Sequence, residues 1–300
     1  MQVGPTPTAP QTFVQIVGAC DNFRLPKATD PAAEQLVTWH LTPDHASPAI
    51  GLLRPAVVEQ LLREIASNKD QTPWSHQIDG SGKTIISFAA HVNTPTARSR
   101  VMKELCERWR DEGLWSNTIG PKQWRNEMYP IYRDPFGPHD APTEAEQFRG
   151  AAELESTDSP QGDDRNYAFM MERAASALFG VVTYGVHMSV YEEDIDAEGV
   201  PMAHRMWIPT RSSSKPTWPG WLDNSVAGGI PAGFGPFETL VKESMEEASI
   251  EENIVRKYAR AIGSISYFFR CVDALLEYSM ALTGSYRSPL GWLQPEVECV

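Results

Sequence analysis

The chain has 300 residues, 41% of them hydrophobic, enough to bury a sizeable core in two domains or one large one. Its formal net charge of −13 argues against a general nucleic-acid binder, which needs a basic stripe. That charge does not argue against a phosphorylated substrate, because a bound metal would screen carboxylates from phosphates. No apolar run approaches membrane-spanning length, and no signal-peptide core opens the chain. Cys20, Cys106, Cys271 and Cys299 show neither CxxC spacing nor a His-Cys cluster, so they read as reduced thiols of an intracellular protein. The expected setting is the cytoplasm, with mitochondrion and nucleus left open.

Residues 1–10 read as a frayed tail, and Phe13 to Cys20 as a short amphipathic helix. Ile50 to Ser67 has a strand-like start and then a helix from near Pro55, with Val58, Leu61, Leu62 and Ile65 as its apolar stripe. Lys83 to Ala90 reads as a strand. Thr96 to Gly113 predicts a second helix that turns Val101, Leu105 and Trp109 inward, ends at Gly113 and leaves Arg98, Arg100, Arg108 and Arg110 solvated. These elements make a smaller α/β N-terminal domain over residues 11–134 with no catalytic constellation of its own.

Residues 135–166 are polar and rich in Pro, Gly, Asp and Glu without periodicity, which predicts an exposed, disordered loop. Residues 167–300 form the expected second domain. Ala177 to Val190 contains a strand, Arg205 to Pro209 a second that pairs with it, and Glu192 to Glu198 an acidic hairpin loop between them. The irregular spacing of those acids suits solvation better than a metal site. Ile262 to Phe269 is a further strand candidate, and Trp292 to Val300 begins another.

The informative stretch is Val226 to Ile250, VAGGIPAGFGPFETLVKESMEEASI. Gly228 and Gly229 allow close approach of backbone to a ligand. From Pro236 the apolar positions Phe237, Leu240, Val241 and Ala248 mark one face of a helix, with Pro236 as its first residue. Glu243, Glu246 and Glu247 share another face. Like charges at that spacing, near the C-terminal end where the dipole disfavours anions, destabilise an isolated helix. The triplet therefore suits either a solvated acidic face or a divalent cation, and its all-oxygen donors select Mg²⁺ or Mn²⁺ over zinc.

Loop and helix together resemble the Nudix box, G-x5-E-x7-R-E-U-x-E-E-x-G-U with U aliphatic. Gly228 falls on the first glycine, Glu243 on the first helix glutamate, Glu246 and Glu247 on the paired glutamates, and Ile250 on the closing aliphatic. Phe234 stands at the loop-glutamate position, Lys242 at the arginine, Ser244 at an aliphatic position and Ser249 at the final glycine. WRDEG at 109–113, WRNEMYPIY at 124–132, ERAASALFGVVTYGVHMSVY at 172–191, WIPTRSSSKPTWPGWLDNSVAGG at 207–229 and LQPEVE at 293–298 resemble one subfamily, the Nudix proteins related to thiamine pyrophosphokinase fusions of fungi, with plant and yeast members. The likeness covers most of residues 10 to 270, and the N-terminal unit looks like that group's leading domain.

The resemblance implies a Nudix α/β/α sandwich with a mixed sheet, preceded by the α/β N-terminal domain. It further implies a Mg²⁺- or Mn²⁺-dependent diphosphatase that converts oxidised thiamine diphosphate analogues to monophosphates. The alternatives are a nucleoside diphosphate sanitiser of the 8-oxo-dGDP type and a degenerate module that binds without turnover. The partner is then a small-molecule diphosphate rather than a nucleic acid polymer or a membrane, with the oligomeric state open. Glu243, Glu246 and Glu247 would hold the metal with Gly228, and Glu243 would take the proton of water. Arg211 and Lys215 are candidates for a diphosphate contact, beside the reading of a solvated basic loop. Trp207, Trp218 and Trp221 read as core more readily than as a stacking platform, and His187 as a hydrogen-bonded core histidine. Residues 271–291 have no counterpart in the subfamily, and the chain stops at Val300. The expectation is therefore an incomplete C-terminal part, with Glu296 or Glu298 as a downstream carboxylate.

Overall fold

The computed structural model describes residues 12, 14, 15, 18, 21–25, 34–44, 46–67, 71–80, 82–140, 165–213, 219–271 and 292–300. The tail 1–10, most of the helix expected at 13–20, Lys215 and Trp218, and nearly all of the segment 271–291 lie outside the described residues.

The first sheet contains β1 (Val37–His40), β2 (Ala49–Leu53), β3 (Trp74–Ile78) and β4 (Thr84–Phe88) in the order β2-β1-β4-β3. β1 runs antiparallel to β2 and parallel to β4, and β3 is antiparallel to β4. Helix α1 (Pro55–Ser67) buries Val57, Val58 and Leu61, with Leu62 and Ile65 partly buried beside them. Helix α2 (Pro95–Asp111) is capped by Thr94, whose hydroxyl accepts from the Ala97 amide, and Gly113 follows its end with φ of 77°.

Leu105 and Trp109 point inward as expected, but Arg98 is not solvated: it is 2% exposed. Its position falls in the buried row with Pro95, Met102, Leu105 and Trp109, so the guanidinium reaches backbone oxygens instead of water. It donates to Asn93 O at 2.9 Å and to Ala168 O at 3.4 Å.

After the short helix α3 (Ser116–Ile119), β5 (Met128–Tyr132) and β6 (Tyr167–Glu172) pair antiparallel, and β6 packs against α2. A 3-10 turn (Arg173–Ala175) leads into the short helix α4 (Ser176–Phe179). Phe169, Leu178 and Phe179 enter the same core as Trp39, Phe88 and Trp109, with Trp39 and Phe179 centroids 5.0 Å apart. The two ends of the polar stretch 135–166 are tied together, because the Asp140 carboxylate accepts from the Asn166 amide. His139 stacks on Tyr132 at 4.4 Å, and the Tyr184 hydroxyl donates to Pro135 O. Residues 141–164 between those ends are outside the described set.

The second sheet has the order β10-β7-β12-β11, from β7 (Thr183–Met188), β10 (Val226–Gly229), β11 (Ser264–Cys271) and β12 (Trp292–Cys299). β7 is antiparallel to β10 and parallel to β12, and β11 is antiparallel to β12. Both four-stranded sheets are thus mixed, and the chain is α/β. β12 is a full eight-residue strand in the middle of its sheet rather than one barely begun. Segment 21–25 covers the outer edge of β11: Phe23 N–H donates to Phe268 O, and Phe268 N–H to the Asp21 carboxylate. Helix α5 (Pro236–Ala248) packs on β10 and β7, and α6 (Glu252–Tyr258) packs on α5.

One pairing differs from expectation. β9 (Pro201–Trp207) joins β8 (Val190–Ile195) in a separate two-stranded ribbon, and not the strand within 177–190. Most of the acidic stretch 192–198 is therefore strand. The turn is built by Asp196, whose carboxylate accepts from the amides of Glu198 and Val200 around Gly199 at φ of 80°. Acids can occupy a strand here because the ribbon leaves them in solvent.

Candidate active site

Pro236 is the first residue of α5 and Gly235 its N-cap, so the helix begins where the sequence places it. Its inward face differs from the expected stripe: Thr239, Val241 and Ser244 are buried, whereas Phe237 is exposed and Ala248 lies at the surface. Ser244 is tolerated in the core because its hydroxyl donates to Leu240 O one turn back at 2.6 Å. Glu238, in the first turn, is gripped by both terminal nitrogens of Arg256 from α6, which holds its carboxyl below the usual range. It is thereby committed to the α5–α6 contact.

Glu243 lies flat on the strand. A Cβ at Gly228 would sit 2.4 Å from Glu243 Cγ and 2.5 Å from its Cδ, so only glycine leaves room for this side chain. The Glu243 side chain is 16% exposed and that of Glu246 57%. Glu247 reaches the edge of the sheet, where Ala227 N–H donates to its Oε2 at 3.1 Å. With Ala227 turned outward, strand alternation turns the Gly228 amide toward its partner Val186 on β7.

Lys242 Nζ stands 3.1 Å from both Glu243 Oε1 and Glu246 Oε2. Partial burial works to lower this ammonium, but its hydrogen bonds and charge contacts with the two glutamates raise it above an ordinary lysine. The like-charge repulsion expected on this face is thus partly relieved by one cation. The helix stops at Ser249, which takes the left-handed conformation (φ 55°, ψ 31°) that glycine favours, with its amide and that of Ile250 closing on Met245 O and Ser244 O.

A second polar group occupies the other face of the sheet. Cross-strand partners share a face, and the register aligns Ala227 with His187, Gly229 with Gly185, and Gly185 with Glu298. Glu298 fills the space that a Cβ at Gly185 would need, and the Tyr129 hydroxyl fills that at Gly229. Tyr267 donates to Glu296 at 2.7 Å and lies 3.3 Å from Glu298, whose other oxygen is 3.4 Å from His187 Nε2. Glu298 hydrogen-bonding raises the His187 pKa above its ordinary value, and burial raises that of Glu296. Glu296 and Glu298 lie opposite the α5 face, so neither joins Glu243 as the downstream carboxylate. His187 is in this ionic group rather than an apolar core, its side chain 31% exposed and its Nδ1 2.6 Å from Asn224. Tyr129 and Tyr267 were not singled out from the sequence. Glycines inside the strands, Gly185 and Gly229, were the signal that a side chain comes close there.

Arg211 is half-buried and paired with Asp223 at 2.8 Å, not loosely solvated. Trp207 and Trp221 are 61% and 59% exposed, which overturns the core reading for both. Cys106 and Cys299 are free thiols, and burial pushes both pKa values up.

The carboxylates of Glu243, Glu246 and Glu247, on the exposed side of a helix against an edge strand, are hard oxygen donors of the kind Mg²⁺ or Mn²⁺ prefers. Two of them already share the single positive charge of Lys242, so the residues fit a cation by their chemistry. Among the described residues no three His, Cys, Asp or Glu side chains are gathered tightly enough to hold a metal as they stand.

No family model matches the chain. It is 32% identical over 158 residues to an uncharacterized protein of Saccharomyces cerevisiae, covering 52% of this chain and 36% of that one. It is 46% identical to Nudix hydrolase 20, chloroplastic, and 41% identical to Nudix hydrolase 24, chloroplastic, both of Arabidopsis thaliana; each match covers 99 residues, 33% of this chain and 25% of the relative. The matches span between 25% and 36% of the length of these curated relatives. The two plant likenesses support the Nudix superfamily. Among the described residues no helix is long and apolar enough to cross a membrane.

Proposed function

We propose that this chain is a metal-dependent Nudix-type diphosphatase acting on a thiamine diphosphate-like substrate, releasing the monophosphate and phosphate. The observation that supports this reading is the seat of Glu243 on Gly228, with Glu246 and Glu247 beside it, in a chain similar to two Nudix hydrolases. Glu243, Glu246 and Glu247 would hold Mg²⁺ or Mn²⁺ beside Ala227, whose backbone faces the open edge, rather than at Gly228, whose amide and carbonyl turn toward β7. The cation supplies neutralisation of phosphate charge and eases loss of a proton from water. Lys242 would position Glu243, which would take the proton through the oxygen turned away from the cation as the water oxygen bonds to phosphorus and the bridging oxygen leaves with the monophosphate. Arg211 and Lys215 contribute positive charge to the diphosphate. The exposed rings of Trp207 and Trp221 offer stacking surface to a heteroaromatic side group. The expected location is the cytoplasm; the plant relatives carry "chloroplastic" in their names.

A second reading, a module that binds a diphosphate without turnover, is favoured by Lys242, whose ammonium already occupies the space between Glu243 and Glu246. Competition decides among these readings. Phosphate release from oxothiamine diphosphate, inhibited only weakly by 8-oxo-dGDP, is the expected outcome. The reverse order would make the protein a nucleoside diphosphatase. Saturable binding of either diphosphate with no release would leave the binding module.

A further inference from the structure

Lys242 sits where a divalent cation would be drawn. Its Nζ stands 3.1 Å from Glu243 Oε1 and 3.1 Å from Glu246 Oε2, so one ammonium bridges two of the three α5 carboxylates. The third, Glu247, is held by the Ala227 amide, which donates to its Oε2 at 3.1 Å. An ammonium and Mg²⁺ make different demands on such oxygens. Mg²⁺ takes its ligands at about 2.0–2.1 Å in an octahedral array, roughly 1 Å closer than the ammonium holds them. The lysine bridge thus accounts for carboxylates that share one helical face yet, among the described residues, are not gathered tightly enough for a metal.

One half of the bridge is built to open. The side chain of Lys242 is 42% exposed, and its ammonium is compact and strongly hydrated on a flexible four-carbon stem, so it can swing into water without moving the helix. Glu246 is 57% exposed, and Lys242 precedes it by four residues, the weaker order for such a pair. An exposed ion pair of this kind is worth at most about fivefold in an equilibrium constant. Glu243 is the opposite case, 16% exposed and packed flat on Gly228. Glu246 is therefore the carboxylate that the lysine gives up first.

Resting on the proposed metal site, we propose that Lys242 is its exchangeable counter-ion: the divalent cation displaces the ammonium from Glu246, and the lysine thereby sets how tightly the cation binds. A divalent cation carries twice the charge and approaches more closely, so it wins the exchange, and the ammonium left on Glu243 repels it from nearby. The sign of the effect is diagnostic. Removing a competing lysine tightens the metal, whereas removing a lysine that merely orients Glu243 loosens it.

The test is a Mn²⁺ titration of the whole chain, read by the electron paramagnetic resonance of the free ion and independent of turnover. Lys242→Met should bind Mn²⁺ about three- to tenfold tighter than wild type. Lys242→Arg, which restores the charge, should bind it no tighter than wild type, and neither should Lys257→Met, which removes the same charge from α6. Lys242→Gln takes the place of Lys242→Met should that variant not fold. Equal or weaker binding by Lys242→Met, with the wild type binding, overturns the exchange and leaves the metal site standing. An equal gain in Lys257→Met overturns it as well, since bulk charge would then be the cause. No Mn²⁺ bound by either wild type or Lys242→Met, or binding indifferent to both Glu246→Gln and Glu247→Gln, removes the metal site itself and the proposal with it.

Discussion

Gly228→Ala isolates the steric relation on which the site depends. The added Cβ would lie 2.4 Å from Glu243 Cγ, against an ordinary carbon–carbon contact of about 3.5–4.0 Å, so the glutamate or the strand must move by roughly 1 Å. Gly228 is not among the positive-φ glycines, so alanine meets no backbone strain and the effect comes from the clash alone. Overpacking of this kind costs about 1–3 kcal/mol. In a Glu243→Ala background Cγ is gone, and most of that cost should vanish, giving a coupling of about 1–2 kcal/mol in a double-mutant cycle read by urea unfolding. Turnover of the single variant should fall by about 10²-fold, since a misplacement near 1 Å can have that effect. Equal destabilisation by Gly228→Ala in both backgrounds would refute the seating of Glu243 on this strand.

Ser249→Gly should stabilise the protein by about 0.5–1 kcal/mol, because the left-handed conformation strains serine more than glycine's extra entropy costs; a loss in the urea midpoint would contradict the assigned helix stop. Arg98→Ala should destabilise by about 3 kcal/mol, through a cavity and the loss of bonds to Asn93 O and Ala168 O, and a change below about 0.5 kcal/mol would mean the guanidinium reaches water. His187 has a folded pKa above its ordinary 6.5 because Glu298 bonds the charged ring. Its contribution is therefore complete below about pH 6.5 and lost as pH rises through the raised value. The stability gap between wild type and His187→Gln should shrink in that direction, and a gap that does not change with pH would dissolve the ion pair.

Three helices were legible in the sequence, α1, α2 and α5, whereas α3, α4 and α6 were not singled out. Pro55 and Pro236 each open a helix, and Gly113 follows the end of one, because capping chemistry is local and written in neighbouring residues. The glutamate triplet was legible for the same reason: three positions on one helical face need no tertiary knowledge. What each face meets was not. Arg98 and Leu105 share a buried row, and nothing local says that carbonyls wait for the guanidinium at the sheet. Trp207 and Trp221 looked like core by type, yet the end of β9 and the loop before β10 leave them 61% and 59% exposed. The opposition of Glu243 and Glu298 across the second sheet depends on strand register. A one-residue slip would exchange the faces, and sequence pattern alone did not set that register.

The most direct measurement of the proposed chemistry is phosphate release from oxothiamine diphosphate and 8-oxo-dGDP, in Mg²⁺ and in EDTA, by the wild-type chain and by Glu247→Gln. Release by the wild type in Mg²⁺, abolished by EDTA and by the substitution in a protein with an unchanged melting curve, is the expected result. Release that persists in EDTA, or a Glu247→Gln variant as fast as wild type, would contradict a metal site on the α5 glutamates.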